Sequence, residues 1–236
     1  MTPGKLSSDE RRSAILSAVL PLFAREGAER ITTRQLAEAA GVSEALLYRH
    51  FPSKEHLFGA LHEVCLGEGD SSHALIHELE ANTVSLVLGL HWLMKKTMLG
   101  DGDQGEVKQR AIRRLILSSC LEDGVFAREF IANKTALMID RLTLALEAAV
   151  QSGDVARMDE PPRLRLWLAI HAAFGAAALS SEPLEPPIID YGVPYADLLA
   201  PAVRFALRGL GMSDATIHRY YNPTALQILE GGTRAP

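Results

Sequence analysis

The sequence predicts an all-α protein, and three observations support that fold class. Apolar residues recur at helical spacing along most of the 236 residues, most clearly between residues 125 and 151. Ala and Leu are plentiful, whereas aromatic residues make up only 6% of the chain, a balance that favours helices over strands. No stretch alternates β-branched and polar residues as a strand would. We therefore expect helices throughout, without an internal repeat.

Helix-start and helix-stop signals divide the first 66 residues into four helices. Each predicted start carries a side chain able to cap free backbone N–H groups, in a Ser/Thr-x-x-Glu/Gln box or as a single serine. The predicted limits are Ser7 to Gly27, Thr32 to Ala40, Ser43 to His50 and Ser53 to Leu66. Pro21 lies inside the first helix, where the loss of one hydrogen bond predicts a kink.

Longer helices are predicted after residue 66, each with an apolar face at helical spacing. Their predicted ranges are 72–99, 106–121, 125–151, 161–181 and 195–210. Loops are predicted at residues 101–105 and in the Pro-rich stretch 182–194.

Charge and cysteine content narrow the class of protein. The net charge is -5, but residues 1–60 carry +1 and the remainder -6, so phosphate does not strongly repel the N-terminal part. Cys65 and Cys120 lie in apolar helical runs and are predicted to be reduced core thiols. No uncharged stretch reaches the ~18–20 residues of a bilayer span, and no secretory signal opens the chain. We expect a cytoplasmic protein without membrane association.

The two short helices on either side of Gly41 match a helix-turn-helix, in which the second helix enters the major groove of DNA. Such a unit needs an apolar back and a polar front. The residues predicted for the back, packing on Leu16, Leu20 and Phe23, are Leu36, Ala37, Ala40, Val42, Leu46 and Leu47. The residues that remain for the front are Arg34, Glu44, Tyr48, Arg49 and His50. The pattern predicts a double-stranded DNA partner.

Residues 31–57, ITTRQLAEAAGVSEALLYRHFPSKEHL, resemble the DNA-binding domain of the TetR/AcrR family of regulators. The Thr-x-x-x-Leu-Ala-x-x-x-Gly-Val-Ser and Leu-Tyr-x-His-Phe-x-Ser-Lys segments stand at the family's spacing, and Arg25-x-Gly27 fits its first helix. The resemblance covers roughly residues 8–66. It implies a three-helix DNA-binding domain (1–52), a linking helix (53–66) and a helical ligand-binding and dimerisation domain (67–236).

The resemblance also implies roles for individual residues. Phosphate contacts would come from Thr33, Ser43, Tyr48, His50 and Lys54. The side chains that would face base edges are Arg34, Glu44, Ala45, Tyr48 and Arg49. Arg34 suits guanine, Glu44 a cytosine amino group and Ala45 a thymine methyl. Glu44 departs from the pattern because phosphate repels an acid, and its alternative role is to complement the helix dipole.

The later helices contain candidates for a small-molecule pocket, which the resemblance also implies. The candidate lining residues are His91, Trp92, Met94, Phe126, Phe130, Met138, Trp167, His171 and Phe174. Plain core packing is the alternative for each of them. Residues 166–178 and 198–210 are the predicted homodimer helices, with packing inside one chain as the alternative.

Metal binding and catalysis find little support in the sequence. His73 and His77 stand at i, i+4 without a third ligand nearby, so we expect a solvated pair rather than a metal site. No phosphate loop, nucleophile elbow or isolated carboxylate pair is present. We expect neither a cofactor nor an enzyme.

The resulting hypothesis is a dimeric transcriptional repressor on a pseudo-palindromic operator. A small apolar or amphipathic effector would release it by tilting the helix at residues 53–66. The alternatives are an activator or ligand-independent regulator with the same DNA-binding domain, and, more remotely, a helical ligand-binding module that does not bind DNA.

Overall fold

The computed structural model describes residues 7–26, 30–66, 80–100, 102–180 and 188–231. Helices joined by turns and loops make up these residues, which contain no strand, and Val155 and Met212 form an isolated bridge. The α-helices are α1 (Ser8–Glu26), α2 (Thr33–Ala39), α3 (Glu44–His50), α4 (Lys54–Leu66), α5 (Thr83–Leu99), α6 (Gly102–Leu121), α7 (Val125–Phe130), α8 (Ala136–Gln151), α9 (Pro162–Ser180), α10 (Leu199–Gly209), α11 (Asp214–Tyr220) and α12 (Pro223–Gly231). A π-helical turn (Ile131–Thr135) joins α7 to α8, and a 3₁₀ turn (Tyr195–Leu198) precedes α10. The predicted all-α class is confirmed.

The chain divides into two compact units. The first contains α1–α4 together with α6 and α7, and the second contains α5 and α8–α12. This division differs from the predicted one, which placed all residues from 67 to 236 in a single domain. The reason is packing: Ala111 and Ile112 of α6 and Phe126 of α7 are buried in the same apolar core as Ile15 and Phe23 of α1.

Helix α1 is the centre of the first unit and packs against α2, α4 and α6. It opens with the predicted capping box, in which Ser7 N donates to Glu10 Oε2 (2.7 Å) and Glu10 N donates to Ser7 Oγ (3.2 Å). The helix continues through Pro21 to Glu26. Its Phe23 ring meets Phe58 edge to face, with centroids 4.3 Å apart.

Helix α5 is the centre of the second unit and packs against α8, α9 and α10. Leu86, Leu90 and Met94 are fully buried along it. At Gly89 an added Cβ would lie 2.7 Å from Leu142 Cδ2 of α8, so glycine permits the close approach of these two helices.

Several predicted element limits are wrong. Residues 80–82 are not helical, and α5 begins at Thr83, where Asn82 Oδ1 accepts from Ser85 N (2.9 Å). The predicted loop at residues 101–105 is largely the first turn of α6. The single helix predicted over 125–151 is interrupted by the π-helical turn, and helices α11 and α12 were not predicted.

The cysteine prediction is corrected at Cys120, which is exposed on α6. His73, His77 and the side chain of Cys65 lie outside the described residues. Among the residues that are described, none of the helices is long and apolar enough to cross a bilayer. The same residues contain no group of three or more His, Cys, Asp or Glu side chains placed to hold a metal ion.

Candidate nucleic-acid interface

Helices α2 and α3 and the turn between them form the predicted helix-turn-helix, and each helix start is capped as expected. Thr32 Oγ1 accepts from Gln35 N (3.3 Å) while Gln35 Oε1 accepts from Thr32 N (2.8 Å). Ser43 Oγ accepts from Leu46 N (3.2 Å) at the start of α3. Between them Gly41 has a φ of 63°, a conformation in which a side chain costs energy. The turn is therefore fixed by local chemistry.

The apolar back of this unit is held in the core of the first unit. Leu36, Leu47 and Phe51 are at most 3% exposed, and they pack with residues of α1. Ala40, Val42 and Leu46 of the predicted back are half-buried. Burying large apolar side chains contributes roughly 1.5–3 kcal/mol each, which holds the short α3 rigidly although seven residues form no stable helix alone.

The polar front of the unit faces outward. Among the predicted DNA-contacting residues, the exposed ones are Arg34, Ser43, Glu44, Ala45, Tyr48 and Arg49. The half-buried ones are Thr33, His50 and Lys54. The structure thus brings all nine onto α2, α3 and the first turn of α4.

Tyr48 and Thr33 join the two helices across the front. The Tyr48 hydroxyl donates to Thr33 Oγ1 at 3.2 Å. Tyr48 remains 45% exposed. Both side chains were predicted to contact phosphate, and their mutual hydrogen bond places two hydroxyl groups at one point of the surface.

Arg34 is paired with a residue that the sequence analysis missed. Its Nε lies 2.9 Å from Glu38 Oε1, and both side chains are highly exposed. The hydrogen bond to Glu38 raises the pKa of Arg34, and the charges of Glu38 and Glu44 act in the same direction. The i, i+4 spacing of Arg34 and Glu38 was the available signal. Water screens an exposed pair of this kind, so Arg34 can leave it for another partner at small cost.

The C-terminal end of α3 is held by Arg12, a second residue that the sequence analysis missed. Arg12 Nη1 donates to the His50 carbonyl oxygen (3.1 Å), and its guanidinium carbon lies 4.5 Å from the centre of the Phe51 ring. The His50 Nε2 atom is buried and has no hydrogen-bond partner in the described part of the chain. Nε2 is therefore not placed for the phosphate contact predicted for His50.

The nine residues predicted to line a pocket fall into different units. Phe126 and Phe130 pack in or against the core of the first unit. The other seven belong to the second unit, where Met94 and Met138 are buried core residues and His91 Nδ1 lies 3.1 Å from the Tyr221 hydroxyl. Neither unit assembles the whole set, so the pocket stays a prediction.

A small cavity in the second unit is lined by residues outside the predicted set. Its volume is about 30 Å³, and its lining residues are Glu80, Ala81, Ser85, Gly89, Arg141, Leu142, Leu144 and Ala145. This volume holds a water molecule or two and is far below the ~300–1,000 Å³ of a typical small-molecule site.

Comparison with known proteins agrees with the geometry of the helix-turn-helix. Residues 15–61 match the family model described as bacterial regulatory proteins, tetR family. These residues run from α1 into α4 and contain the capped turn and the exposed front. This segment of the chain is a DNA-binding domain of the tetR type.

Two curated relatives of this chain are nucleoid occlusion factors SlmA. The Mannheimia succiniciproducens protein is 35% identical over 141 residues, which are 59% of this chain and 60% of that protein. The Vibrio cholerae serotype O1 protein is 56% identical over 54 residues, which are 22% of this chain and 28% of that protein. The chain therefore covers less than two thirds of the length of either relative.

A solved structure with the same fold is that of AibR in complex with isovaleryl coenzyme A and operator DNA. It superposes with a TM-score of 0.59 at 18% sequence identity, covering 83% of this chain and 97% of AibR. At that identity the likeness concerns the TetR fold alone.

Proposed function

We propose that this chain is a sequence-specific DNA-binding transcriptional repressor, working in the cytoplasm as a homodimer on a pseudo-palindromic operator. The observation that carries the proposal is the helix-turn-helix itself: α3 has a buried apolar back, a capped start and an exposed polar front. A short rigid helix with one exposed polar side is what insertion into the major groove requires.

The exposed front divides into base-reading and phosphate-binding groups. Arg34, Glu44 and Ala45 are exposed at or near the starts of the two helices, and Arg49 is exposed in the last turn of α3. These four side chains are assigned to base edges. Tyr48 and Thr33, hydrogen-bonded to each other, and Lys54 at the start of α4 are the phosphate-binding groups. Arg34 would exchange Glu38 for guanine when DNA binds.

The predicted homodimer helices carry exposed apolar side chains. Leu164 and Leu168 of α9 are 46% and 57% exposed, and Phe205 of α10 is 68% exposed. Apolar side chains of this size on the two helices that the family resemblance assigns to the dimer support a four-helix interface. A dimer also solves the weak specificity of one short recognition helix by pairing two half-sites.

Release by a small apolar or amphipathic ligand completes the proposal. The described cavity is too small for such a ligand, so binding would have to open a pocket among the helices of the second unit. The ligand must then favour the DNA-free state by a coupling of about 1–3 kcal/mol or more. AibR, which was solved with isovaleryl coenzyme A and operator DNA, is one precedent for a protein of this fold that takes both.

The decisive experiment measures DNA affinity and salt dependence with matched variants. Arg34→Ala should relax base preference, because a bidentate guanine contact is worth about 1–3 kcal/mol of discrimination. Lys54→Ala should weaken all sequences alike and reduce the slope of log K against log salt by roughly 0.9 per contact. Equal loss of specific and non-specific binding in both variants would contradict this division of roles.

Ligand release is tested separately on the operator-bound dimer. Acyl-coenzyme A thioesters and small amphipathic molecules are titrated, and the proposal expects at least one to lower operator affinity about tenfold or more. A dimer whose operator affinity no compound changes would favour a ligand-independent regulator.

A second candidate function follows from the SlmA relatives, whose name describes nucleoid occlusion. The identity of 56% over 54 residues of the Vibrio cholerae protein favours shared DNA-binding properties in the first unit. Genome-wide mapping of bound sites separates the candidates. A repressor occupies few promoters and changes their transcription when deleted, whereas a nucleoid factor occupies dispersed sites without that change.

A further inference from the structure

The second unit contains a copy of the helix-turn-helix, contrary to the expected absence of an internal repeat. Residues 41–51 are GVSEALLYRHF and residues 211–221 are GMSDATIHRYY. Gly, Ser, Ala and Arg coincide at matching positions, and the remaining pairs include Glu with Asp, Leu with Ile and Phe with Tyr. The two segments lie 170 positions apart.

The backbone of the copy follows the original closely. Gly211, like Gly41, has a positive φ, and its N–H donates to the carbonyl three residues earlier: Gly211 to Arg208 (2.9 Å), Gly41 to Glu38 (3.1 Å). The N–H of the following residue donates to the carbonyl five residues earlier, at 3.0 Å in both turns: Val42 to Ala37, and Met212 to Leu207. Ser213 caps α11 as Ser43 caps α3, its Oγ accepting from Thr216 N at 3.2 Å. Each cap serine has a ψ near 150°.

Burial repeats with the same pattern along the second helix. Ile217 and Tyr221 are buried, as are Leu47 and Phe51 at the matching positions. The outward side of α11 is exposed at Asp214, Ala215, His218 and Arg219, which match Glu44, Ala45, Tyr48 and Arg49.

The third helix of the motif is repeated as well, with one residue fewer in the connection. Asn222 Oδ1 accepts from Ala225 N (3.1 Å) at the start of α12, as Ser53 Oγ accepts from His56 N (3.4 Å) at the start of α4. Helices α10, α11 and α12 therefore correspond to α2, α3 and α4.

The copy has a more basic surface than the original. Residues 34–51 contain two arginines and two acidic residues, whereas the matching residues 204–221 contain three arginines and one acidic residue. The difference arises at one position, where Glu38 is matched by Arg208. Arg208 Nε contacts Asp214 Oδ1 at 2.6 Å, and both side chains are more than half exposed, so phosphate could displace this weak surface pair. This basic surface stands in the acidic part of the chain.

We propose that α10 and α11 form a second surface that binds double-stranded DNA, with His218 and Arg219 on its recognition side and Arg208 beside them. The charge of the surface suits a polyanion, and its helix-turn-helix geometry suits a duplex. The role assigned to α3 rests on the proposed function, but contact between α11 and DNA can be tested independently of it.

Photo-crosslinking at matched positions tests this contact in the full-length protein. A p-benzoylphenylalanine is placed at Tyr48, at His218 or, as control, at Leu144, which is 50% exposed on α8. Each protein is irradiated with labelled duplex DNA that contains an operator-like inverted repeat. We expect crosslinks from positions 48 and 218 and none from position 144.

The crosslinking outcomes separate the two proposals. Crosslinks at 48 alone would overturn the second surface and leave the proposed function intact. Crosslinks at 218 alone would support the second surface and contradict the role of α3. Crosslinks at neither position would overturn both, and equal labelling at 144 and 218 would overturn the second surface.

A second measurement uses one arginine of the copy and a charge-matched control. Arg219→Ala should lower the magnitude of the salt slope by roughly 0.9 per phosphate contact, as is expected of Lys54→Ala in the first motif. Arg163→Ala removes the same charge from an exposed side chain at the start of α9, where Arg163 pairs with Asp140, and should leave the slope unchanged. Circular dichroism and sedimentation confirm that each variant keeps its helices and association state. An unchanged slope for Arg219→Ala, or an equal change for Arg163→Ala, would overturn the proposal.

Discussion

At the scale of single residues, the two turn glycines adopt the same kind of backbone conformation in different surroundings. Gly41 and Gly211 both have positive φ, at 63° and 97°. A Cβ added at Gly41 meets no atom within 4 Å, whereas one at Gly211 lies 3.0 Å from Met158 Sδ and 3.1 Å from the Ala156 carbonyl oxygen. Gly41 is thus required for its backbone angle alone, and Gly211 for its angle and for space.

Alanine at these glycines should therefore have unequal effects on stability. Gly41→Ala should cost about 1–2 kcal/mol, the usual cost of a left-handed residue with a side chain. Gly211→Ala should cost more, because the added Cβ would also approach a backbone atom, the Ala156 carbonyl oxygen, to 3.1 Å, and Ala156 N donates to the Gly211 carbonyl oxygen. Urea unfolding followed by circular dichroism measures both, with Gly59→Ala in the open face of α4 as control. Equal costs at positions 41 and 211 would contradict this account.

A second residue-scale feature is the Asp154 carboxylate, which gathers three hydroxyl groups in the second unit. Its Oδ2 accepts from Thr83 (2.6 Å), Ser152 (3.1 Å) and Tyr220 (3.2 Å). The hydrogen bond from Thr83 lowers the pKa of Asp154, partial burial opposes the change, and the hydrogen bonds from Ser152 and Tyr220 and the charge of Arg219 lower it further. Through these hydrogen bonds the carboxylate connects the start of α5 and the end of α11 to the turn after α8.

This depressed pKa predicts the direction of an acid effect on stability. Because the folded-state pKa lies below the unfolded value of about 3.9, ionised Asp154 stabilises the fold above that pH, and the contribution disappears as pH falls through the lower folded-state pKa. Asp154→Asn should thus be less stable than the wild type at neutral pH, with a difference that shrinks in acid. Urea unfolding between neutral and acidic pH checks this, with exposed Asp159→Asn as control. A difference that stays constant with pH would contradict it.

At the scale of elements, the sequence predicts the short capped helices better than the long apolar ones. Capping is local chemistry, so Ser7, Thr32 and Ser43 mark their helix starts correctly. The start of α5 depends instead on Asn82 within a long apolar run, where helical periodicity continues on both sides and gives no boundary. Helix α11 was missed although Ser213 is a cap of the same kind.

Tertiary packing explains the other errors in the predicted elements. Gly102 and Gly105 suggest a loop by propensity, yet α6 begins there, because the helix that follows packs along α1. The front of the helix-turn-helix could be predicted from its pattern, whereas Arg12 could not, since it reaches His50 from 38 positions away.

The π-helical turn at Ile131–Thr135 lies where the chain passes from the first unit to the second. A π turn holds one extra residue within a helix. Deleting Asn133 should therefore restore an unbroken α-helix from α7 to α8 and preserve the register of both. Deleting Ala148 inside α8 should instead rotate Ala149, which is fully buried, out of the core.

Thermal unfolding and amide exchange test this interpretation of the π turn. The Asn133 deletion should shift Tm by only a few degrees and slow exchange of the amides around residues 131–135, because their hydrogen bonds become regular. The Ala148 deletion should cost several kcal/mol. Comparable destabilisation by the two deletions would show that the π turn has a structural role of its own.

At the scale of the whole molecule, the two units interleave along the chain. The chain leaves the first unit after α4, returns to it with α6 and α7, and leaves again before α8. A sequence pattern shows which face of a helix is apolar but not which other helix covers that face. The sequence therefore did not indicate that α6 packs against α1. A ligand-driven change in the second unit would have three covalent routes to the DNA-binding unit, rather than the single linking helix that was expected.

The proposed homodimer gives the sharpest prediction at this scale. Leu168 is 57% exposed on α9, and its replacement by glutamate would bury an unpaired charge in the interface, at a cost of several kcal/mol. Leu168→Glu should therefore sediment as a monomer and bind an inverted-repeat operator about 10²-fold more weakly or worse, because the paired half-sites no longer act together. Its affinity for a single half-site should change little.

A matched control is available at Leu121, which is 89% exposed at the end of α6 in the first unit. Leu121→Glu introduces the same charge and should remain dimeric with unchanged operator affinity. Sedimentation velocity and fluorescence anisotropy on one-site and two-site duplexes measure both variants. A monomeric wild type, or a Leu168→Glu protein that stays dimeric, would show that α9 packs elsewhere. The paired-operator mechanism would then lose its physical basis, because the proposed interface consists of the exposed apolar side chains of α9 and α10.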